Sequence, residues 1–104
     1  MREQVPVRWQ FGLNGFVCGG TPEDPCDANE ATVWKGAHGD THLMTFRWDG
    51  HAWVFDSGRI PRELERVRWR SPGEALAQVG RTWEGPVAYV EAVCRCGVLG
   101  GECD

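Results

Sequence analysis

The chain has 104 residues, of which 41% are hydrophobic and 25% charged, and its formal net charge at pH 7 is −4. Six tryptophans can each bury a large apolar area, which excludes a mostly disordered chain and predicts that residues 1–104 form a single domain. No stretch approaches the roughly 20 apolar residues of a transmembrane helix, and the N-terminus lacks the apolar run of a signal peptide. We therefore expect a cytoplasmic protein with no membrane partner.

The first predicted elements are two strands joined by a tight turn. Apolar residues alternate with mostly polar ones over 5–13, which predicts a half-buried strand, and Pro6 suggests that the strand begins at a sheet edge. Asn14-Gly15 favours a turn followed by a short return strand at 16–18. An acidic loop then leads to a strand predicted over 31–35.

The most specific prediction is a hairpin around Asp49-Gly50, a dipeptide that favours a two-residue turn. The resulting register pairs three residues before the turn with three after it: Trp48 with His51, Phe46 with Trp53, and Met44 with Phe55. All six would lie on one face, with Thr45 and Arg47 on the other. One aromatic face and one mixed face are typical of an antiparallel pair that is buried on one side.

The second half of the chain predicts two strands around a helix. Arginine alternates with apolar residues over 66–70, which indicates a strand with one solvated face. Ser71-Pro72-Gly73-Glu74 is typical of a helix start, because Ser suits the N-cap, Pro the first helical position and Glu a capping box. Gly85-Pro86 should end the helix before a last strand over 87–96 and a flexible tail over 97–104.

Together these elements predict an α+β fold: a mainly antiparallel sheet of about six short strands, with one helix over about 72–82 packed on one face. The apolar stripe of this helix consists of Ala75, Leu76, Val79 and Trp83.

Five cysteines form the first candidate site. If the first hairpin and the last strand are neighbours, Cys18, Cys26, Cys94 and Cys96 could hold a structural Zn²⁺ in tetrahedral geometry. Cys103 lies in the predicted tail. Buried free thiols that pack like alanine are the alternative interpretation, and a redox pair is a further one.

A second candidate cluster consists of His38, Asp40 and His42, which project to one side of an extended chain, the side of Met44 and Phe46. Two histidines and a carboxylate can bind Fe²⁺ or Zn²⁺, and Cys18 with one of these histidines could serve a hydrolase. A polar surface loop without function is the alternative, because glycine is frequent in this segment.

The third candidate is a surface for a partner. Arg66, Arg68 and Arg70 share one face of their predicted strand, and arginine binds carboxylates and phosphates in bidentate fashion. Trp48 and Trp53 would extend a binding surface if they prove exposed. The alternative is an ordinary solvated sheet face whose charges discourage edge pairing.

The sequence has no Gly-rich phosphate loop, no His-Glu-x-x-His helix and no nucleophile elbow. We therefore predict a small non-enzymatic protein that acts by protein–protein contact, as an inhibitor, an immunity-type protein or a phage or mobile-element accessory factor. Structural zinc is compatible with that function. A nucleic-acid-binding module using the arginines, or a thiol- or metal-dependent enzyme, is the alternative; the negative net charge disfavours nucleic acid.

Overall fold

A computed structural model describes residues 3–35, 41–82 and 87–91, in which six strands form one sheet and a helix packs on one of its faces. The strands are β1 (Glu3–Leu13), β2 (Phe16–Cys18), β3 (Glu30–Lys35), β4 (Thr41–Trp48), β5 (Trp53–Gly58) and β6 (Val87–Glu91). The α-helix α1 spans Pro72–Thr82, and a short 3-10 helix spans Arg62–Leu64. The predicted α+β fold is confirmed.

Five strands are antiparallel in the order β2-β1-β3-β4-β5, and β6 pairs with β1 in parallel. β6 and β2 share one edge of β1, since β3 occupies the other edge. β1 is thus an interior strand from Val7 onward, but among the described residues its first part, up to Pro6, is paired on one side alone, as the prediction from Pro6 expects. Pro6 lies opposite Val90 of β6 and one residue before the pairing with β3 begins, where its missing N–H is tolerated.

The start of α1 forms as predicted. The backbone N–H of Glu74 donates to Ser71 Oγ at 3.1 Å, and Pro72 is the first helical residue. Three residues of the predicted stripe, Ala75, Leu76 and Val79, are buried. The predicted stop at Gly85-Pro86, Trp83, and the tail over 97–104 lie outside the described residues.

One hydrophobic core lies between the helix, its neighbouring loops and one face of the sheet. It consists of Val7, Trp9, Phe11, Ala28, Ala31, Val33, Met44, Phe46, Trp53, Leu64, Trp69, Ala75, Leu76 and Val79. The odd-numbered residues of β1 and β3 and the even-numbered residues of β4 supply much of it, as the alternation predicts. The opposite face of the sheet carries polar side chains, and we call it the polar face.

The predicted register of the β4–β5 hairpin is wrong by two residues next to the turn, where Trp48 pairs with Trp53 and Phe46 with Phe55, and by three beyond a register shift between Thr45 and Phe46, where Met44 pairs with Gly58. Asp49 explains the longer turn: its Oδ1 accepts from the backbone N–H groups of His51 at 2.8 Å and Ala52 at 2.9 Å. An even shift preserves the faces, so Phe46 and Trp53 are buried on the same side.

Arg68 stabilises this turn from outside the hairpin. Its Nη2 lies 2.8 Å from Asp49 Oδ2. The backbone N–H groups of Ala52 and His51, and then the charge of Arg68, hold the pKa of Asp49 below its ordinary value. Asp49 therefore stays ionised in the folded chain, and the turn is held by charge-assisted hydrogen bonds.

The predicted strand over 66–70 is wrong, because only Trp69 forms a bridge, through two backbone hydrogen bonds of 2.8 and 2.9 Å with Trp53. The segment begins as a turn after the 3-10 helix, where Val67 N–H donates to the Leu64 carbonyl. Exposed arginines nevertheless alternate with the half-buried Val67 and the buried Trp69. Burial alternates here without a ladder of strand hydrogen bonds.

A β-bulge places His42 on a face that the sequence did not predict. The register of β3 with β4 shifts between Val33 and Trp34, so Val33 pairs with Met44 but Trp34 pairs with His42. The extra residue on β4 turns His42 to the polar face, opposite Met44. The prediction that His42 shares a side with Met44 is therefore wrong, and His38 and Asp40 lie outside the described residues.

Candidate functional site

A groove of about 590 Å³ lies beside the β4–β5 turn, and we call it the hairpin groove. Its walls come from three parts of the chain: the β1–β2 turn, the loop before β3 and the residues around the hairpin. The lining residues are Leu13, Asn14, Pro25, Cys26, Asp27, Ala28, Asn29, Trp48, Trp53 and Arg70. Three of the five partner-binding residues predicted from the sequence, Trp48, Trp53 and Arg70, thus meet in one concave surface.

The two tryptophans of the groove differ in exposure. Trp53 is 2% exposed and belongs to the core, whereas the Trp48 side chain is 41% exposed. Their ring centroids are 6.0 Å apart with the planes tilted by 53°. Trp48 is thus a large apolar side chain that is held by a fixed neighbour and still faces solvent, which is the usual condition of a binding anchor.

Asn29 fixes the loop before β3 to both neighbouring elements. Its backbone carbonyl accepts from Trp48 N–H at 2.9 Å, and its backbone N–H donates to the Gly12 carbonyl at 2.9 Å. Its side chain donates to Asn14 Oδ1 at 2.8 Å and accepts from Asn14 N–H at 3.1 Å. These four hydrogen bonds preorganise the groove, so a ligand does not have to order the loop when it binds.

The three predicted arginines do not act as one stripe. Arg70 lines the hairpin groove, Arg68 is paired with Asp49, and Arg66 is exposed away from both. Within the described ranges, Arg70 forms no ion pair. Among the described residues that line the groove, Arg70 carries the one positive charge and Asp27 the one negative charge.

The cysteines that the structure describes lie near the groove. Cys26 lines it, is exposed and has a positive φ of 56°. Cys18 packs against the core beneath, and its pKa is raised by burial and then by the negative charges of Asp27 and a Cys26 thiolate. Cys94 and Cys96 lie outside the described residues. Residues 3–35, 41–82 and 87–91 contain no cluster of three potential metal ligands.

Sequence reasoning missed the part of the groove that the loop over 25–29 supplies. Its composition predicted only an acidic loop, and the fold of this segment depends on hydrogen bonds with distant residues such as Gly12 and Trp48. Asn29 also acts at a distance, because its amide bonds the backbone N–H and the side-chain oxygen of Asn14, 15 positions away in the chain.

No protein-family model, no curated protein and no solved structure matches this chain. In the described part of the chain, no helix has the length and apolar character needed to cross a membrane.

Proposed function

We propose that the protein acts by protein–protein contact and that the hairpin groove receives a segment of the partner. The segment would present an apolar or aromatic side chain next to a carboxylate. Trp48, 41% exposed and packed against the buried Trp53, is the observation that carries this proposal. In this proposal the protein acts in the cytoplasm and has the accessory or inhibitory role expected from the sequence.

The residue types of the groove support binding energy concentrated in a few contacts. Tryptophan and arginine are enriched among the residues that dominate protein interfaces, especially where a pocket is already desolvated. Trp48 offers an apolar face, and Arg70 in the same groove offers a planar fork of donors that suits a carboxylate. A rigid loop next to both lowers the entropic cost of association.

The charges favour a carboxylate over a nucleic acid. The overall net charge of −4 repels a polyphosphate, and Asp49 already neutralises Arg68. Of the lining residues that the structure describes, only Arg70 contributes positive charge, whereas Asp27 contributes negative charge there. One arginine can pair with one carboxylate, and Asp27 would repel a second acidic group.

Peptide selection tests this function without knowledge of the natural partner. We expect a random peptide library displayed on phage to enrich, on the immobilised wild-type chain, sequences with a carboxylate within a few residues of an aromatic or large aliphatic residue. The enrichment should disappear on the Trp48→Ala, Arg70→Glu double variant, because both anchors are removed. An Arg66→Glu variant is the matched control and should select the same peptides, since Arg66 lies outside the groove lining.

Two results would reject the groove as the binding site. One is a failure of the wild-type chain to enrich any consensus in repeated selections. The other is a consensus that the double variant selects equally well. Circular dichroism of each variant, which should match the wild type, separates lost binding from lost folding.

A structural zinc is the second candidate, and two observations favour it. The charge of Cys26 acts on Cys18, so two of the four predicted ligands are near one another. β6 also runs along the same edge of β1 as β2. On that edge Glu91 pairs with Val7, and Cys18 pairs with Phe11, which follows Val7 by four residues. Cys94 follows Glu91 by three residues, a length of chain that spans roughly 10 Å.

Metal analysis combined with thiol labelling tests the zinc proposal. We expect about one equivalent of zinc per chain, and four cysteines that iodoacetamide labels only after a chelator is added. In the metal-free protein, Cys18 should then react more slowly than Cys26, because a raised pKa lowers its thiolate fraction. A zinc content far below one equivalent, with a melting temperature that a chelator leaves unchanged, would contradict this proposal.

A further inference from the structure

A second concave site lies on the polar face of the sheet. Among the described residues, it shares no lining residue with the hairpin groove. This polar-face pocket has a volume of about 290 Å³, and its side chains come from β1 to β4. Those that offer chemistry to a ligand are Gln10, Val17, Glu30, Thr32, Trp34 and His42. Its size is at the lower end for small-molecule sites, so it suits a small ligand.

The β-bulge in β4 builds this pocket. His42 and Thr45 are three positions apart, so in a regular strand they would point to opposite faces. The register shift between Val33 and Trp34 brings both to the polar face, where His42 Nε2 lies 2.8 Å from Thr45 Oγ1. The bulge is thus the reason that a histidine and a pair of threonines can meet here.

The histidine and the threonines form a chain of hydrogen bonds that can run in either direction. Thr45 Oγ1 lies 2.8 Å from His42 Nε2 and 3.2 Å from Thr32 Oγ1. If His42 carries its proton on Nε2, the hydroxyl hydrogens point toward Thr32, whose own hydroxyl can then donate to a ligand. If the proton is on Nδ1, the chain reverses and Thr32 can accept. A group that alternates between donor and acceptor is complementary to a ligand hydroxyl, which does both.

Two further side chains offer unused hydrogen-bonding groups. Gln10 Oε1 accepts from Trp34 Nε1 at 3.2 Å, which fixes the amide so that its NH₂ group is left to donate. The carboxylate of Glu30 forms no ion pair within the described ranges, although Arg47 is its partner in the strand register. The pocket therefore presents an amide donor, a carboxylate acceptor and the reversible chain.

Val17 and Trp34 supply the apolar part of the pocket. The exposed apolar side chain on the polar face is Val17, which is 49% exposed, and Trp34 is half-buried with its ring in edge contact with His42 at 5.5 Å between centroids. Trp34 is held in place by Gln10 on one side and His42 on the other. A half-buried ring beside fixed donors and acceptors suits a ligand that has an apolar C–H surface and a polar rim.

From this combination we infer that the polar-face pocket binds a neutral, hydroxyl-rich ligand of monosaccharide size. Adjacent hydroxyls of such a ligand would bond the Gln10 amide, Glu30 and Thr32, and its C–H surface would lie against Trp34 and Val17. Among the described residues of the lining, Glu30 is the one fully charged residue, so an anionic ligand is disfavoured. This site is separate from the hairpin groove and does not rest on the function proposed there.

Saturation-transfer difference NMR with the intact chain tests this assignment, using neutral monosaccharides and their methyl glycosides as probes. We expect at least one neutral sugar to bind, and to bind more tightly than the corresponding uronic acid. Glu30→Gln and Thr32→Val should each weaken binding about five- to tenfold, the usual effect of one lost hydrogen bond. Glu30 is exposed, so its variant should fold even if Thr32→Val is destabilised.

Two controls separate the pocket from other surfaces. Arg47→Gln changes an exposed residue of the same face outside the lining and should leave sugar binding unchanged, as should Trp48→Ala in the hairpin groove. The inference is overturned if no neutral sugar gives a saturable signal, or if binding survives in Glu30→Gln and Thr32→Val. It is also overturned if tetramethylammonium binds and the sugars do not, which would indicate a cation site made by Glu30 and the aromatic rings.

Discussion

Gly58→Ala is expected to lower the free energy of unfolding by about 3 kcal/mol or more, a large part of the stability of a small domain. Gly58 has a φ of +105°, which is unfavourable for any residue with a side chain. A Cβ at this position would overlap the backbone carbonyl oxygen of Leu43 and lie 2.5 Å from Met44 Cα. Neither backbone atom can move without disturbing the pairing of β4 with β5.

Gly50→Ala is the matched control for this effect. Gly50 has almost the same φ, +103°, but nothing lies within 4 Å of an added Cβ. Its substitution should therefore cost only the conformational penalty, about 1 kcal/mol. Urea denaturation of both variants measures the difference. Equal losses in the two variants would show that the close approach of β4 to Gly58 does not limit stability.

Trp69→Ala is expected to cost about 3–5 kcal/mol, because it removes a large side chain from the centre of the core. Trp69 is 2% exposed and packs edge-on against Phe46, with 5.6 Å between the ring centroids. Its indole N–H donates to Gln78 Oε1 of α1 at 2.7 Å. The side chain therefore connects the sheet to the helix through both packing and a hydrogen bond.

Two variants sharpen this prediction. Trp69→Phe keeps much of the packing but leaves Gln78 Oε1 without its donor. It should therefore lower the free energy of unfolding measurably, but by less than Trp69→Ala does. Trp48→Ala removes the same side chain from a position that is 41% exposed and should cost about 1 kcal/mol or less. Equal denaturation midpoints for Trp69→Ala and Trp48→Ala would contradict the burial that distinguishes them.

Local chemistry explains which elements the sequence predicted correctly. The Asn14-Gly15 turn forms because both residues adopt positive φ, 52° and 89°. The start of α1 depends on Ser71, whose Oγ accepts from the backbone N–H three residues later. In both cases the residues that decide the structure are sequence neighbours, so a short window contains the whole signal.

The register of the sheet depends on interactions that a hydrophobic pattern does not contain. Asp49 extends the hairpin turn with its own carboxylate, and Arg68 reinforces it from a distant segment. The bulge opposite Val33 and Trp34 reverses the face of His42. Alternation of apolar residues indicates which residues are buried, but it does not reveal a single inserted residue.

The candidate site was predictable only in part for the same reason. Trp48 and Arg70 were singled out by residue type, but their meeting in one groove depends on the bridge between Trp53 and Trp69. That bridge joins residues 16 positions apart in the chain and replaces a predicted strand. Residue chemistry thus identified the binding groups, whereas their arrangement required the tertiary structure.

Isothermal titration of a selected peptide into four versions of the chain tests the central proposal most directly. We expect the wild type and Arg66→Glu to bind with the same affinity. Trp48→Ala and Arg70→Glu should each bind at least about thirtyfold more weakly, which corresponds to about 2 kcal/mol per anchor. Binding that is weakened by Arg66→Glu as much as by Arg70→Glu, or that survives the loss of Trp48, would contradict a binding site in the hairpin groove.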